Sequence, residues 1–259
     1  KTGDAGEVRW TGMTTAFSGA SNSVPLNLNA KNFLAFSNIV FVPSGTSGSV
    51  TTFTGHDNSF TDCAFFGPMS PTLTVNAAAN LTFDRCLVYA WPVNGFNFVL
   101  PTRTVADYDV NVLIRNCLIV AAAAGVQTGA SGANSFKGGG ITVRSCTFLV
   151  GARGVSTTSA NQSTTIPINV YDCWFIAGGS GTAALDANTA GQIVEDYNLF
   201  NPGTVRTNVT AGTHSSTIVY MAPTFHMGQE RIWGGQPRPF GSPVRDGLPH
   251  GWGTQAGGP

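Results

Sequence analysis

Charge is the scarcest property of this chain: Lys, Arg, Asp and Glu make up 10% of its 259 residues, against about 25% in an average soluble domain. Its only lysines are Lys1, Lys31 and Lys137, and the formal net charge is zero. A nucleic-acid-binding surface shows a basic face or stripe, so nucleic acid is not an expected partner. No apolar run approaches the ~18 residues of a membrane-spanning helix, and no membrane span is expected. There is no CxxC pair and no Cys-His spacing of the metal-binding kind, so no metal and no cofactor is expected. Helical periodicity is also missing: the longest candidate, Val120 to Gly125, is short and stops at glycine. The chain opens at Lys1 without an initiator Met or a signal peptide, and residues upstream are expected.

What is present is turn chemistry and alternation. The 32 glycines show no collagen period, and 42% of the residues are hydrophobic, enough for a substantial core. Short alternating apolar runs separated by Gly, Asn, Ser and Thr read as an all-β chain.

Five of those runs share a frame with one cysteine in the same place. They are NSFTDCAFFGP (58–68), LTFDRCLVYAW (81–91), VLIRNCLIVAA (112–122), ITVRSCTFLVGA (141–152) and INVYDCWFIAGG (168–179). The anchors Cys63, Cys86, Cys117, Cys146 and Cys173 are all the cysteines of the protein. Two further copies keep the frame without the cysteine: FLAFSNIVFVPS (33–44), with Asn38 at the anchor, and QIVEDYNLFNPG (192–203), with Tyr197 there. Successive anchors then lie 25, 23, 31, 29, 27 and 24 residues apart, and a period in the twenties signals a solenoid.

Three residues before the anchor stand Phe60, Phe83, Ile114, Val143, Val170 and Val194; two after it stand Phe65, Val88, Ile119, Phe148, Phe175 and Leu199. A straight strand brings only even separations to one face, so the odd step from minus three to the anchor demands a bend. Asp62, Asn116, Ser145, Asp172 and Asp196 sit just before the anchor; Asn and Asp tolerate the left-handed conformation a corner needs. The unit is strand, two-residue corner, strand and variable loop. Stacked in parallel ~4.8 Å apart, such units build a right-handed parallel β-helix. A leucine-rich solenoid would need a leucine-asparagine consensus that is absent. The cysteines become an interior ladder of small buried hydrophobes. Disulfides are the competing reading, but an odd number leaves one thiol free, and a reduced ladder implies folding in a reducing compartment.

On these repeats, the stretch from about Val24 to Phe200 resembles the right-handed parallel β-helix, pectate-lyase-like superfamily. VEDYNLFNPG (194–203) followed by GSPVRDG (241–247) is similar to the closing segment of many of its members. The resemblance implies a single solenoid over residues 1–201, its N-terminal part truncated, and an irregular cap or arm over 202–259. The superfamily holds polysaccharide lyases, glycoside hydrolases, phage tailspikes and adhesins, and the fold does not choose among them. The hydrolase signatures Asn-Thr-Asp, Asp-Asp, Gly-His-Gly and Arg-Ile-Lys are absent, with TGHD (54–57) the nearest fragment, and no acidic calcium cluster of the lyase kind is seen.

Asp107 and Asp109 flank Tyr108. In an extended segment their carboxylates would lie about 6.5 to 7 Å apart on one side, which suits an inverting glycosidase, a calcium site or a plain solvated loop. His56 beside Asp57 offers a base near neutral pH or ordinary turn chemistry. Adjacent turns would bring Asp62 near Arg85 and Asp84 near Arg115 as register-setting pairs. Tyr89, Trp91, Tyr171 and Trp174 are outward aromatics, fit for stacking on sugar rings or for packing under loops and subunits. Asn80, Asn161 and Asn208 match the Asn-X-Ser/Thr pattern. The tail is rich in Gly, Pro and aromatics, with Trp233, Phe240 and Trp252 as anchors. Covering a solenoid end, lying over the stack or reaching a neighbouring subunit would each protect unpaired edges.

The leading functional expectation is a non-enzymatic structural or surface protein, such as a phage or virion decoration, fibre or spike, partnered by other subunits and folded first in a reducing cytoplasm. A polysaccharide lyase or glycoside hydrolase using Asp107, Asp109, His56 and Asp57 is the alternative. A bacterial surface adhesin with polysaccharide as partner is the third.

Overall fold

The computed structural model of the chain describes residues 8–11, 26–28, 33–42, 51–53, 57–66, 79–90, 94–100, 110–130, 140–160, 164–177, 183–201 and 204–217. Among them there is no helix, and every strand pairs in parallel, forming a β-solenoid of the parallel β-helix kind. One turn shows the plan. Gly140–Arg144 runs to the corner, Thr147–Val150 leaves it, and Arg153–Thr157 forms the third side. Repeated, these sides make a seven-stranded pre-corner sheet, a nine-stranded post-corner sheet and a five-stranded third sheet; a separate two-stranded sheet pairs Leu26–Leu28 with Thr51–Phe53.

The corner is one residue in left-handed conformation. Asn38, Asp62, Arg85, Asn116, Ser145, Asp172 and Tyr197 all have φ between 53° and 58°. Such a φ strains any residue but glycine, least for Asn and Asp. It reverses the alternation once, so that both the residue two before it and the one after it face inward. Each corner is also tied to the next turn: the Asp62 N–H donates to the Asp84 carbonyl and the Asn116 N–H to the Arg144 carbonyl.

This geometry corrects the two end copies. Asn38 and Tyr197 are corner residues, and the anchor position falls one later, on Ile39 and Asn198. At minus three in the last copy the inward residue is Glu195, while Val194 is exposed; at plus two it is Phe200 in place of Leu199. Asp196 likewise lies one before the corner. An apolar-only frame selected Val194 because it does not anticipate a charged side chain indoors.

The interior is stacked by like on like. Phe36, Phe60 and Phe83 lie ring over ring with centroids 5.0 and 5.1 Å apart, and Phe41 over Phe65 at 4.9 Å. On the C-terminal side Phe148, Phe175 and Phe200 continue the same row at 4.6 and 5.3 Å. Offset ring stacking adds to simple area burial. Gly125 and Gly154 make room for it: a Cβ on Gly154 would stand 2.4 Å from a Phe175 ring carbon and 2.5 Å from the Ala184 carbonyl oxygen.

All five cysteines are unpaired and buried in one column. Each thiol faces two backbone carbonyls. One belongs to the residue before its own corner, at 3.1 to 3.4 Å; the other belongs to the preceding turn, at 3.5 to 3.7 Å. The thiol therefore serves the bend as well as filling space. The strands do not stop at residue 201: Thr204–Thr207 pairs with Ala183–Asp186, and Ser216–Thr217 pairs with Leu199–Phe200. The remainder of the tail, with Trp233, Phe240 and Trp252, lies outside the described residues.

Candidate functional site

Among the described residues, three groups of polar side chains are set by the register of the stack. The first is the corner flank. Arg85 reaches back to Asp62 with Nε and Nη2 at 2.6 and 3.0 Å from its two carboxylate oxygens, and Nη1 lies 2.8 Å from Asp84. Asp84, buried, also accepts from Arg115 at 3.1 Å and from Asn116 Nδ2 at 3.0 Å. Further along, Arg144 Nε donates to Asp172 at 2.9 Å, and Arg153 pairs with Asp186 on the third sheet at 2.5 Å. Every one of these arginines except Arg85, which also uses Asp84 beside it, binds across turns alone. Arg85 in a left-handed corner is held there by its fork on Asp62.

The second place is the entry edge of the pre-corner sheet. Asn80 Nδ2 donates to Asp57 Oδ1 at 2.6 Å, and Asn111 Nδ2 donates to Asn80 Oδ1 at 3.0 Å. Three successive turns thus carry one row of polar side chains on an exposed edge. Asp57, of the residues singled out for chemistry, sits in this row. His56, Asp107 and Asp109 lie outside the described residues, but they flank it in the chain, beside Asp57 and just before Asn111.

The third is the closing turn, which the apolar frame missed. Glu195 fills the inward position of the pre-corner sheet, and Arg206 fills the one opposite, level with Leu185. The Glu195 carboxylate is fully enclosed and accepts from Arg206 Nε (2.8 Å) and Nη2 (2.7 Å), the Gly212 N–H (2.7 Å), Asn198 Nδ2 (2.8 Å) and Ser215 Oγ (2.5 Å). Arg206 also lies 4.5 Å over the Phe200 ring. Asn198 takes over the thiol position: its Nδ2 donates to the Val170 carbonyl and its Oδ1 accepts the Cys173 N–H at 2.8 Å. Its own N–H passes to Ser215 Oγ at 2.9 Å. The turn is closed outside by Asp196, which accepts from the His214 N–H and from its Nδ1, 2.9 Å away, while the His214 ring stacks on Tyr197 at 4.3 Å. Burial pushes the Asp196 carboxyl up, but the hydrogen bonds from His214 and from the Tyr197 N–H outweigh it and hold it below its ordinary value.

Comparison with family models, with curated proteins and with solved structures found no match.

Of the four aromatics considered for sugar stacking, the three described ones do not form one platform. Tyr89 is 40% exposed and stands 6.1 Å from Phe66, on the neighbouring turn. Tyr171 lies on the other side of the corner with its hydroxyl 3.4 Å from Asn169 Oδ1. Trp174 is buried at 3% exposure, so its ring has no open face, and Trp91 lies outside the described residues. Phe66 was legible in principle, since it shares the plus-three frame with Tyr89. Among the described residues no three His, Cys, Asp or Glu side chains converge on a metal-sized site.

Four of the five thiols are held in the protonated form. Burial pushes Cys86, Cys117 and Cys146 far above the ordinary thiol range; for Cys63 the hydrogen bond with Cys86 is the larger cause and burial the next. A thiol kept protonated is a poor nucleophile and a poor metal ligand.

Proposed function

We propose that the chain is a structural, surface-presented solenoid of a larger assembly, of the phage or virion kind, and that its flank makes protein or glycan contacts. The observation that carries this reading is the use of charge. The arginines of the described flank are engaged with carboxylates of neighbouring turns, and the enclosed carboxylate of Glu195 is matched to Arg206. Charge spent on register maintains a shape, and a shape is what an assembly component contributes. A column of buried free thiols fits folding in a reducing cytoplasm before export or assembly. Negative-stain imaging with mass measurement of the native material tests the proposal: the chain is expected inside a multi-subunit particle. A free monomer that cleaves a polysaccharide would sink it.

The polar row at the entry edge favours a second reading, a polysaccharide lyase or hydrolase. Register puts Asp57, Asn80 and Asn111 on one line, and His56, Asp107 and Asp109 attach to the ends of that line in sequence. Loss of depolymerising activity in Asp107→Asn and Asp109→Asn, with unchanged thermal unfolding, would establish it.

A further inference from the structure

The outward row beside the corner runs Thr61, Asp84, Arg115, Arg144 and Tyr171, in register on successive turns. Arg115 and Arg144 are direct neighbours in it, on strands about 4.8 Å apart, and form the one like-charged register pair among the described residues. Like charges directly opposite one another destabilise a sheet. The flank otherwise sets arginine against carboxylate, so this pair does not serve register. The two side chains also lean apart. Arg115 Nη2 reaches Asp84 on the preceding turn at 3.1 Å, and Arg144 Nε reaches Asp172 on the following one at 2.9 Å. A guanidinium carries five N–H donors. Among the described residues the Nη1/Nη2 fork of Arg144 and the Nε and Nη1 of Arg115 have no protein acceptor, and the two side chains are 63% and 48% exposed.

The corner residues account for this surplus of donors. On the turns to either side, the corner side chain answers the flank residue of the turn before it. Asn116 Nδ2 donates to Asp84 at 3.0 Å, and Asp172 accepts from Arg144. The same relation sets Ser145 against Arg115, and the Ser145 hydroxyl has no hydrogen bond among the described residues. A short hydroxyl therefore stands where, one turn later, a carboxylate stands.

We propose that Arg115, Arg144 and Ser145 form a binding site for a tetrahedral oxyanion, a sulfate or phosphate group carried by a ligand. Donor geometry selects the class. The Nη1/Nη2 fork of Arg144 takes two oxygens side by side, and a planar carboxylate spends both of its oxygens there. A tetrahedral group with three free oxygens fills the fork and offers the third to Arg115 Nη1, with the Ser145 hydroxyl as a further donor. Charge agrees, because Asp84 is shared between Arg85 and Arg115 and leaves Arg115 with part of a countercharge. The site gives a chemistry to the flank contact proposed above, and rests on that reading only for the molecule that carries the group.

Calorimetric titration of the full chain with inorganic sulfate and with inorganic phosphate, in a constant chloride background, tests it. Saturable binding of one anion per chain is expected. Ser145→Asp puts a carboxylate in the anion's place, and Arg144→Gln removes the fork. Each should weaken binding about tenfold or more, the loss of one charge-assisted hydrogen bond. Ser145→Asp should melt no lower than the wild type, since Asp62 and Asp172 already hold the same corner conformation. Tighter binding of glucose 6-sulfate assigns the group to a sulfated ligand, and tighter binding of glucose 6-phosphate to a phosphorylated one; either supports the site. Equal affinity of the wild type and Ser145→Asp overturns the proposal, as does galacturonate binding as tightly as sulfate, or no saturable binding at all. A free monomer in the imaging experiment would end the assembly reading and leave this binding untouched, so the two failures are distinguishable.

Discussion

The turn spanning residues 140–157 and the turn that closes the stack, 193–217, share a backbone path and differ at three interior positions. Where the first has Val143, Cys146 and Val155, the second has Glu195, Asn198 and Arg206, while the Ile141 and Phe148 positions stay apolar, as Ile193 and Phe200. The corner nevertheless keeps the same φ, 53° at Ser145 and 58° at Tyr197. Thiol and carboxamide both answer the carbonyls and amide of the bend at this position, and Ile39 in the first copy occupies it with an apolar side chain. A polar side chain is accepted indoors where its partners are present. In the closing turn the partners are complete, so an ion pair can occupy the place of two hydrophobes.

Removing half of that ion pair gives the largest expected effect. Arg206→Met leaves Glu195 enclosed without its countercharge and should cost about 3–5 kcal/mol, read by urea unfolding. Glu195→Val with Arg206→Leu copies the ordinary turn into the closing one and should recover most of the loss. If the double variant is as unstable as the single one, the closing turn is not interchangeable with the others.

A smaller loss is expected from Gly154→Ala. The added methyl meets both the Phe175 ring and a backbone oxygen, so overpacking of ~1–3 kcal/mol should exceed the ~0.4–1 kcal/mol gained from a stiffer unfolded chain. A thermal shift upward would contradict the stacking account. Next, Cys173→Asn should be tolerated better than Cys173→Leu, costing ~1 kcal/mol or less against ~1–3, because Asn198 already does the thiol's work one turn on. The reverse order, by chemical denaturation, would mean that the column is held by apolarity after all.

The smallest effect concerns pH. Asp196 is held below its ordinary value, so it favours folding above the unfolded carboxyl pKa of about 3.9 and that contribution is lost as pH falls through the lowered folded value. His214→Phe keeps a ring over Tyr197 but removes the donor. Its melting temperature should therefore fall less steeply below about pH 4 than that of the wild type.

Most of the fold was legible because a single residue type marked one frame five times. The odd step between inward positions forced a corner, and the left-handed residues at Asp62, Asn116, Ser145 and Asp172 stand where that argument put them. The frame failed by one residue at both ends, where the marker changes. At Asn38 and Tyr197 an unusual residue was read as the replaced cysteine, when each was the corner before it. The closing polar layer was invisible for a physical reason: Glu195 looks like a surface residue until Arg206, eleven positions later, is known to face it. Asp57 was singled out for its histidine neighbour, and it accepts a hydrogen bond from Asn80 of the following turn; no local pattern reveals such a row. Tyr89 and Trp174 were indistinguishable in sequence because both point outward, and what separates them is the outward row each occupies, next to the corner for Trp174 and beyond it for Tyr89.

The span from three residues before each anchor to four after it never changes length, while the remaining sides of the turn do. A coil of this kind can gain or lose a whole loop of chain by gene duplication or deletion without disturbing the rest, since each coil meets only its neighbours. The freedom ends at Glu195. A copy inserted after that residue's coil would press an oily layer onto an ionic one, so growth of the lineage is confined to the coils before it.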